Sequence, residues 1–201
     1  HKGVLTPDGS KVICAPFGNT GASNQFFGEY DVETKSFTTT ALCTSLQATS
    51  QFGSLFCRDD GTVDCLGNSF DGFGAYDITT QSYSILNTHP YGNSAYASGA
   101  RLSGGGYGMF RNAASNLAHY QPPNLSFITS LSGSSNYFFS STSSKSGKAV
   151  AAPRNGTHLY EIASDGVTAS SQHNFGSGSN KFLTGTLSHT GENFFPEFGA
   201  S

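Results

Sequence analysis

Apolar residues occur along the chain in short runs that are separated by polar turns. The segments Gly3–Thr6 and Lys11–Cys14 have the composition of two strands, and the Asp-Gly step between them is typical of a hairpin turn. The segments Gln25–Asp31 and Ser36–Thr40 flank a second polar turn in the same way. No segment keeps an apolar stripe with helical spacing over a dozen residues. The pattern therefore predicts an all-β protein without a substantial helix.

A tyrosine followed by a polar turn recurs four times. The first two copies, Gly28–Phe37 and Gly74–Tyr83, share the pattern Gly-x-Tyr-Asp, followed by a threonine and a second aromatic residue. The third copy, Ala118–Phe127, keeps the second aromatic residue, and the fourth, His158–Val167, is degraded. The four repeat tyrosines lie 46, 44 and 40 residues apart and are Tyr30, Tyr76, Tyr120 and Tyr160.

A turn that ends in glycine forms a second anchor upstream of each repeat tyrosine, and one more follows the last. These turn glycines are spaced by 52, 44, 42 and 44 residues and are Gly9, Gly61, Gly105, Gly147 and Gly191. Two independent anchors with one period indicate an internal repeat, because chance would not keep both in step.

Each repeat contains four predicted antiparallel strands, which is the content of one β-propeller blade. The chain then reads as a single β-propeller domain over 1–201, with four complete repeats and a partial fifth. The expected boundaries are 1–49, 50–93, 94–136, 137–180 and 181–201. Because a closed propeller needs whole blades, we expect these residues to be part of a longer chain.

The recurring unit, with its Asp-Gly turn and its Tyr-Asp-x-x-Thr-x-x-aromatic segment, resembles the blades of kelch-like and galactose-oxidase-type β-propellers. It is similar in particular to the degenerate repeats of secreted and virus-surface proteins. Unlike typical kelch blades it has no Trp, and only Gly104–Gly106 approaches their double glycine. No set of Tyr and His residues matches the galactose-oxidase copper site, so the resemblance implies no copper centre here.

Composition narrows the function classes further. Only 11% of the residues are charged and the net charge is -3, so the chain lacks the clustered Lys and Arg that nucleic acid or an anionic membrane requires. Aromatic residues make up 13%, which argues against a disordered chain. No apolar run approaches the length of a membrane span. A neutral chain rich in Gly, Ser and Thr predicts an extracellular, secreted or virion-surface location.

The cysteines and two sequons bear on the same question. A disulfide between Cys57 and Cys65 would bracket an Asp-Gly hairpin and leave Cys14 to pair with Cys43, and buried thiols are the equally weighted alternative. Asn124 and Asn155 begin Asn-x-Ser/Thr sequons and are candidate N-glycosylation sites if a eukaryote secretes the chain.

No motif in the sequence carries recognisable chemistry. The six histidines have no metal-site spacing, and the acids Asp59, Asp60 and Asp64 lack the calcium-loop pattern. We therefore expect no cofactor, no metal and no catalytic residue. Tyr91, Tyr96 and Tyr107, which we expect in loops, are weak candidates for stacking on a sugar ring or packing on a partner.

The leading hypothesis is a non-enzymatic structural or adhesion propeller that contacts a protein partner or further copies of itself. A multivalent glycan-binding lectin is the alternative, and a secreted hydrolase or oxidase domain is a weaker one. Neither nucleic-acid binding nor membrane insertion is expected.

Overall fold

A computed structural model describes residues 3–16, 26–40, 52–67, 72–88, 96–111, 116–130, 138, 140–153, 156–176, 186–187 and 193–194. These residues form strands and turns, and no helix occurs among them. The chain divides into two compact units, His1–Asn93 and Ser94–Ser201. Each unit has its own sheets and its own buried apolar cluster.

The first unit contains two four-stranded antiparallel sheets. In each sheet the strands are neighbours in the order in which they occur in the chain, so every connection is a simple hairpin or loop. The first sheet consists of β1 (Gly3–Leu5), β2 (Lys11–Cys14), β3 (Gly28–Asp31) and β4 (Phe37–Thr39). The second sheet consists of β5 (Phe52–Cys57), β6 (Thr62–Gly67), β7 (Gly72–Asp77) and β8 (Ser82–Thr88).

The second unit contains two more sheets of the same kind and a short strand pair. Its first sheet consists of β9 (Tyr96–Arg101), β10 (Tyr107–Arg111), β11 (Asn116–Gln121) and β12 (Asn124–Ser130). Its second consists of β13 (Ser141–Ser143), β14 (Ala149–Ala151), β15 (His158–Ile162) and β16 (Ala169–Asn174). The pair is β17 (Thr186–Leu187) and β18 (Asn193–Phe194). The predicted all-β architecture of four four-stranded blades and a partial fifth is confirmed.

The Tyr-Asp-x-x-Thr part of the repeat builds the turn between the third and fourth strands of a blade. In the first blade the Asp31 carboxylate accepts hydrogen bonds from the backbone N–H and the hydroxyl of Thr34, at 2.7 and 2.8 Å. In the second, Asp77 accepts one from the N–H of Thr80 at 2.8 Å. These backbone donors lower the pKa of both carboxyls, because they favour the charged form. The repeat of Asp and Thr is therefore a repeat of turn chemistry.

The glycine of the Gly-x-Tyr-Asp pattern makes room for the aromatic residue that ends the repeat. A Cβ added at Gly28 would lie 2.3 Å from the Phe37 ring, and one added at Gly74 would lie 2.3 Å from the Tyr83 hydroxyl. Each ring thus lies over a position without a side chain on the neighbouring strand. This packing explains why glycine and the aromatic residue occur together in the first two copies.

The repeat tyrosines lie on the third strand of each blade, at or near the buried core. Tyr76 and Tyr120 are fully buried and Tyr160 is nearly so, while Tyr30 is half-buried. In the first unit Tyr76 stacks on Phe27, with ring centroids 4.2 Å apart. Positive φ angles, between 73° and 104°, occur at the predicted turn glycines Gly9, Gly61, Gly105 and Gly147. Residues with a side chain rarely adopt this backbone conformation. Gly191 lies outside the described residues.

The candidate Cys57–Cys65 disulfide does not form. In the β5–β6 hairpin Cys57 is opposite Val63 and Cys65 is opposite Leu55, so the two cysteines do not face each other. The structure has Cys14, Cys57 and Cys65 as thiols, as in the alternative weighed from the sequence, but only Cys65 is buried, while Cys14 and Cys57 are half-buried. Cys43, the expected partner of Cys14, lies outside the described residues.

The remaining sequence-based candidates fall in different environments. Tyr96 begins β9 and Tyr107 begins β10, so neither is the loop aromatic that was expected to stack on a sugar, and Tyr107 is only 5% exposed. Tyr91 and Asn155 lie outside the described residues, and Asn124 is exposed at the start of β12. Within the described ranges, no helix has the length and apolar character needed to cross a membrane.

Candidate functional site

A cleft of about 370 Å³ opens in the first unit, where the hairpin turn of its first blade faces two turns of its second blade. We name it the turn cleft. One wall comes from the β1–β2 turn, and the other comes from the β5–β6 turn and the start of the turn after β7. Its lining residues are Thr6, Pro7, Asp8, Ser10, Lys11, Asp59, Asp60, Gly61, Ile78 and Thr79.

The β1–β2 wall is ordered by hydrogen bonds to the Asp8 carboxylate. The Thr6 hydroxyl donates to its Oδ1 at 2.6 Å, and the Ser10 hydroxyl donates to its Oδ2 at 2.8 Å. The backbone N–H of Ser10 donates to Oδ1 as well, at 3.1 Å. Led by the Thr6 hydroxyl, these donors lower the pKa of Asp8 to about 2. Asp8 is therefore an anion at any neutral pH.

The opposite wall carries two further carboxyl groups. Asp60 accepts a hydrogen bond from the backbone N–H of Thr62 at 2.9 Å, and this bond lowers the pKa of Asp60. Asp59 precedes it in the same turn. Ile78 and Pro7 add apolar surface to the two walls. The cleft thus combines acidic groups with apolar patches.

The one cation that lines the cleft is already paired. Lys11 Nζ lies 3.0 Å from Glu29 Oε2, and the Glu29 side chain is only 5% exposed. The Tyr76 hydroxyl donates a second hydrogen bond to Glu29, at Oε1, over 2.7 Å. Glu29 on β3 is therefore held by donors from both blades of the unit, and Lys11 brings no unbalanced positive charge to the cleft.

The corresponding position in the second unit is closed. There the β9–β10 turn donates two backbone hydrogen bonds to the next blade, from Ser103 N to Gly147 O at 2.9 Å and from Gly104 N to Ser164 O at 3.0 Å. A Cβ added at Gly104 would lie 2.4 Å from the Ser164 carbonyl oxygen. Such close contact therefore requires a backbone N–H at the position of Ser103 and a glycine at the position of Gly104.

Two residues explain why the first unit is open at this place. In both hairpins a turn glycine donates to the carbonyl three residues earlier, Gly9 to Thr6 and Gly105 to Leu102. In this alignment of the two turns, Pro7 corresponds to Ser103 and Asp8 corresponds to Gly104. Proline has no N–H to donate, and aspartate has the Cβ that the closed arrangement excludes. The sequence of this turn therefore keeps the cleft open.

Sequence reasoning did not identify the buried charged side chains. Glu29 is one of them, and the fully buried Asp64 is another. Asp64 accepts two hydrogen bonds from Arg58, from Nε to Oδ2 at 2.8 Å and from Nη2 to Oδ1 at 2.5 Å. In the second unit Lys148 Nζ donates a hydrogen bond to Glu161 Oε1 at 2.7 Å, in an ion pair that is only half-buried. Asp64 was considered with Asp59 and Asp60 as a calcium ligand, but its side chain is committed to Arg58. The sequence signal that could have identified these side chains is a charged residue between apolar neighbours on a predicted strand.

No metal centre occurs among the residues that the structure describes, since no three His, Cys, Asp or Glu side chains come together there. The carboxylates of the turn cleft thus line its walls without converging on one point. Of the histidines, His119 is engaged in packing: its Nε2 lies 2.9 Å from the Gly105 carbonyl, and a Cβ at Gly166 would meet its ring at 2.4 Å.

The chain matches no protein-family model and no curated protein sequence. Its fold resembles solved structures over nearly its whole length. Virginiamycin B lyase from Staphylococcus aureus matches 98% of the chain with a TM-score of 0.75 at 13% identity, and a streptogramin B lyase matches 98% with a TM-score of 0.74 at 10% identity. A regucalcin from Agrobacterium tumefaciens, described as a calcium-binding protein, matches 99% with a TM-score of 0.68 at 10% identity.

Likeness at this level of identity shows the fold, which is the β-propeller. The chain covers 62% of the first lyase, 61% of the second and 67% of the regucalcin. The resemblance to β-propellers is confirmed, while its kelch-like or galactose-oxidase type is not. The expectation that the chain is not an enzyme, which rested on the absence of a catalytic motif, is contradicted by this fold likeness, because two of these structures are lyases.

Proposed function

We propose that the chain is a recognition β-propeller that binds a protein partner and receives one partner side chain in the turn cleft. The observation that carries the proposal is the open turn cleft itself, at a position that two backbone hydrogen bonds close in the second unit. Its volume of about 370 Å³ lies within the range of small-ligand pockets and accommodates a single side chain.

The order of the turn supports the same proposal. The β1–β2 wall is fixed by three hydrogen bonds to Asp8, so binding there would not have to order a loose loop. Glu29, Lys11 and Tyr76 tie the two blades together directly behind the wall. A preorganised cleft of this kind loses little conformational entropy when a partner binds.

Photo-cross-linking tests the proposal. A photoreactive amino acid replaces Thr79, which is exposed and lines the cleft, and in a matched control it replaces Ser170, which is exposed on β16. We expect one discrete cross-linked protein from position 79 and none from position 170. Combining the Thr79 label with Pro7→Ser and Asp8→Gly should abolish that product. Equal products from both positions, or a product that survives the closing substitutions, would reject the proposal.

The finer parts of the proposal rest on composition. A low charge and a composition rich in Ser, Thr and Gly support an extracellular or virion-surface position, as an adhesion or self-assembly module. The exposed sequon at Asn124 offers a check. Glycan attached to Asn124 in protein from a eukaryotic source would support that location, and a peptide map with only unmodified Asn124 would speak against it.

Lyase activity is the second candidate function. It is favoured by the fold likeness to virginiamycin B lyase over 98% of the chain. Incubation of the purified chain with virginiamycin B, followed by chromatography of the remaining compound, tests it. Loss of the compound above a boiled-protein control would support the candidate, and full recovery of the compound would remove it.

A further inference from the structure

We infer that the side chain taken up by the turn cleft is a cation on an apolar stem, that is, a lysine or arginine of the partner. The inference rests on the proposed function, since it names the chemistry of the group bound at the same site.

The charge of the cleft favours a cationic side chain. Asp8, Asp59 and Asp60 line it with carboxylates, and the positive charge of Lys11 is balanced by Glu29 at 3.0 Å. The walls therefore have an excess of three negative charges. An anionic side chain would meet repulsion there, whereas a cation would be attracted to these exposed carboxylates.

The arrangement of the carboxylates carries the second step. They are distributed over two walls, and no three acidic or other metal-ligating side chains in the described part of the chain converge on one point. A metal ion needs such convergence. The charged group of arginine or lysine needs no such convergence, because it has several N–H donors that point in different directions. These donors lie on a planar fork in arginine and on a rotating ammonium group in lysine.

The apolar surface carries the third step. Pro7 lies on one wall beside Asp8, and the half-buried Ile78 lies on the other beside Thr79. Lysine and arginine both have aliphatic stems that pack on such surface while the charged head reaches polar groups. A compact cation without a stem would leave this surface unused.

The origin of the opening is independent of the acidic residues on the other wall. Pro7 and Asp8 stand where the closed second unit has Ser103 and Gly104. The proline lacks the N–H that donates one of the two closing hydrogen bonds, and the aspartate adds both bulk and charge. Asp8 is thus one of the two residues that keep the cleft open and also one of the residues that make it acidic.

The test is a titration followed by the backbone amide signals in nuclear magnetic resonance. The probes are N-acetyl-arginine amide, the neutral isostere N-acetyl-citrulline amide and the anion N-acetyl-glutamate amide. We expect the arginine probe to shift the amides of Gly9, Gly61 and Thr79, and to bind about fivefold more tightly than the citrulline probe, as exposed ion pairs allow. The expected advantage is smaller at high salt, because salt screens such pairs.

Variants separate the charge from the cavity. In Asp59→Asn the cleft keeps its shape and loses one carboxylate, so the preference for arginine over citrulline should fall. If citrulline or glutamate shifts the same amides as strongly as arginine, the cation inference is overturned and the proposed function stands. If no probe shifts them, both the inference and the insertion of a side chain into the cleft are rejected.

Discussion

Replacing Tyr76 with phenylalanine isolates one hydrogen bond in the interior of the first unit. Tyr76 is fully buried, and its hydroxyl lies 2.7 Å from Oε1 of Glu29, whose side chain is 5% exposed. The substitution keeps the ring and its stacking on Phe27 at 4.2 Å, so the change removes the hydroxyl alone. It leaves a buried carboxylate oxygen without this donor.

A hydrogen bond to a charged group contributes about 1.5–3 kcal/mol to stability. For a chain of about 200 residues, each kcal/mol corresponds to roughly 2–4 °C in the unfolding midpoint. We therefore expect Tyr76→Phe to lower the free energy of unfolding by about 2 kcal/mol and the midpoint by roughly 4–8 °C.

The assay is thermal and urea unfolding, followed by circular dichroism, of the unmodified chain and of Tyr76→Phe. Tyr30→Phe, at the equivalent but half-buried position of the first blade, is the matched control and should change stability little. A double-mutant cycle with Glu29→Gln should show that the two substitutions are coupled. If Tyr76→Phe is as stable as the control, Glu29 does not depend on Tyr76 and the reasoning is refuted.

Three further predictions concern the turns and the packing of the repeats. Gly104→Ala should destabilise the second unit, because its Cβ would lie 2.4 Å from the Ser164 oxygen, and a thermal midpoint equal to that of the unmodified chain would contradict the closed arrangement. Gly74→Ala should cost more stability than Gly28→Ala in urea unfolding, because its Cβ meets a backbone oxygen at 2.3 Å whereas the ring over Gly28 is exposed; the reverse order would be inconsistent with this packing. Asp8 has a pKa of about 2, below its ordinary 3.8, so its contribution is present above pH 4 and is lost as the pH falls toward 2. The stability difference between the unmodified chain and Asp8→Asn should shrink over that window, and a difference that stays constant to pH 2 would count against these hydrogen bonds.

The local features of the fold could be predicted from the sequence because each is encoded within a few residues. The Asp-Gly step before Ser10 specified a hairpin, and the spacing from Asp31 to Thr34 specified a turn. Repetition of these signals every 40–50 residues was enough to predict four-stranded blades. Tyr107 was misplaced because glycines surround it, yet the strand β10 begins at that residue and buries its ring.

The site depends on contacts between residues that are distant in the sequence, and local patterns do not specify which of these residues meet. The buried Glu29 accepts a hydrogen bond from a hydroxyl group 47 residues away, which offsets part of the cost of its burial. The opening of the turn cleft depends on which turns face each other in space, although the difference between Pro7-Asp8 and Ser103-Gly104 was present in the sequence. Its meaning became clear only when the closing hydrogen bonds of the second unit were seen.

The most direct test of the turn cleft as a binding site compares three chains in one titration with N-acetyl-arginine amide. The chains are the unmodified one, the Pro7→Ser and Asp8→Gly double variant, and Asp8→Asn, which loses the charge of Asp8 but keeps its bulk. We predict shifts at Gly61 and Thr79 in the unmodified chain, weaker ones in Asp8→Asn and none in the double variant. Shifts of equal size in all three chains, or shifts confined to residues away from the cleft, would contradict the account.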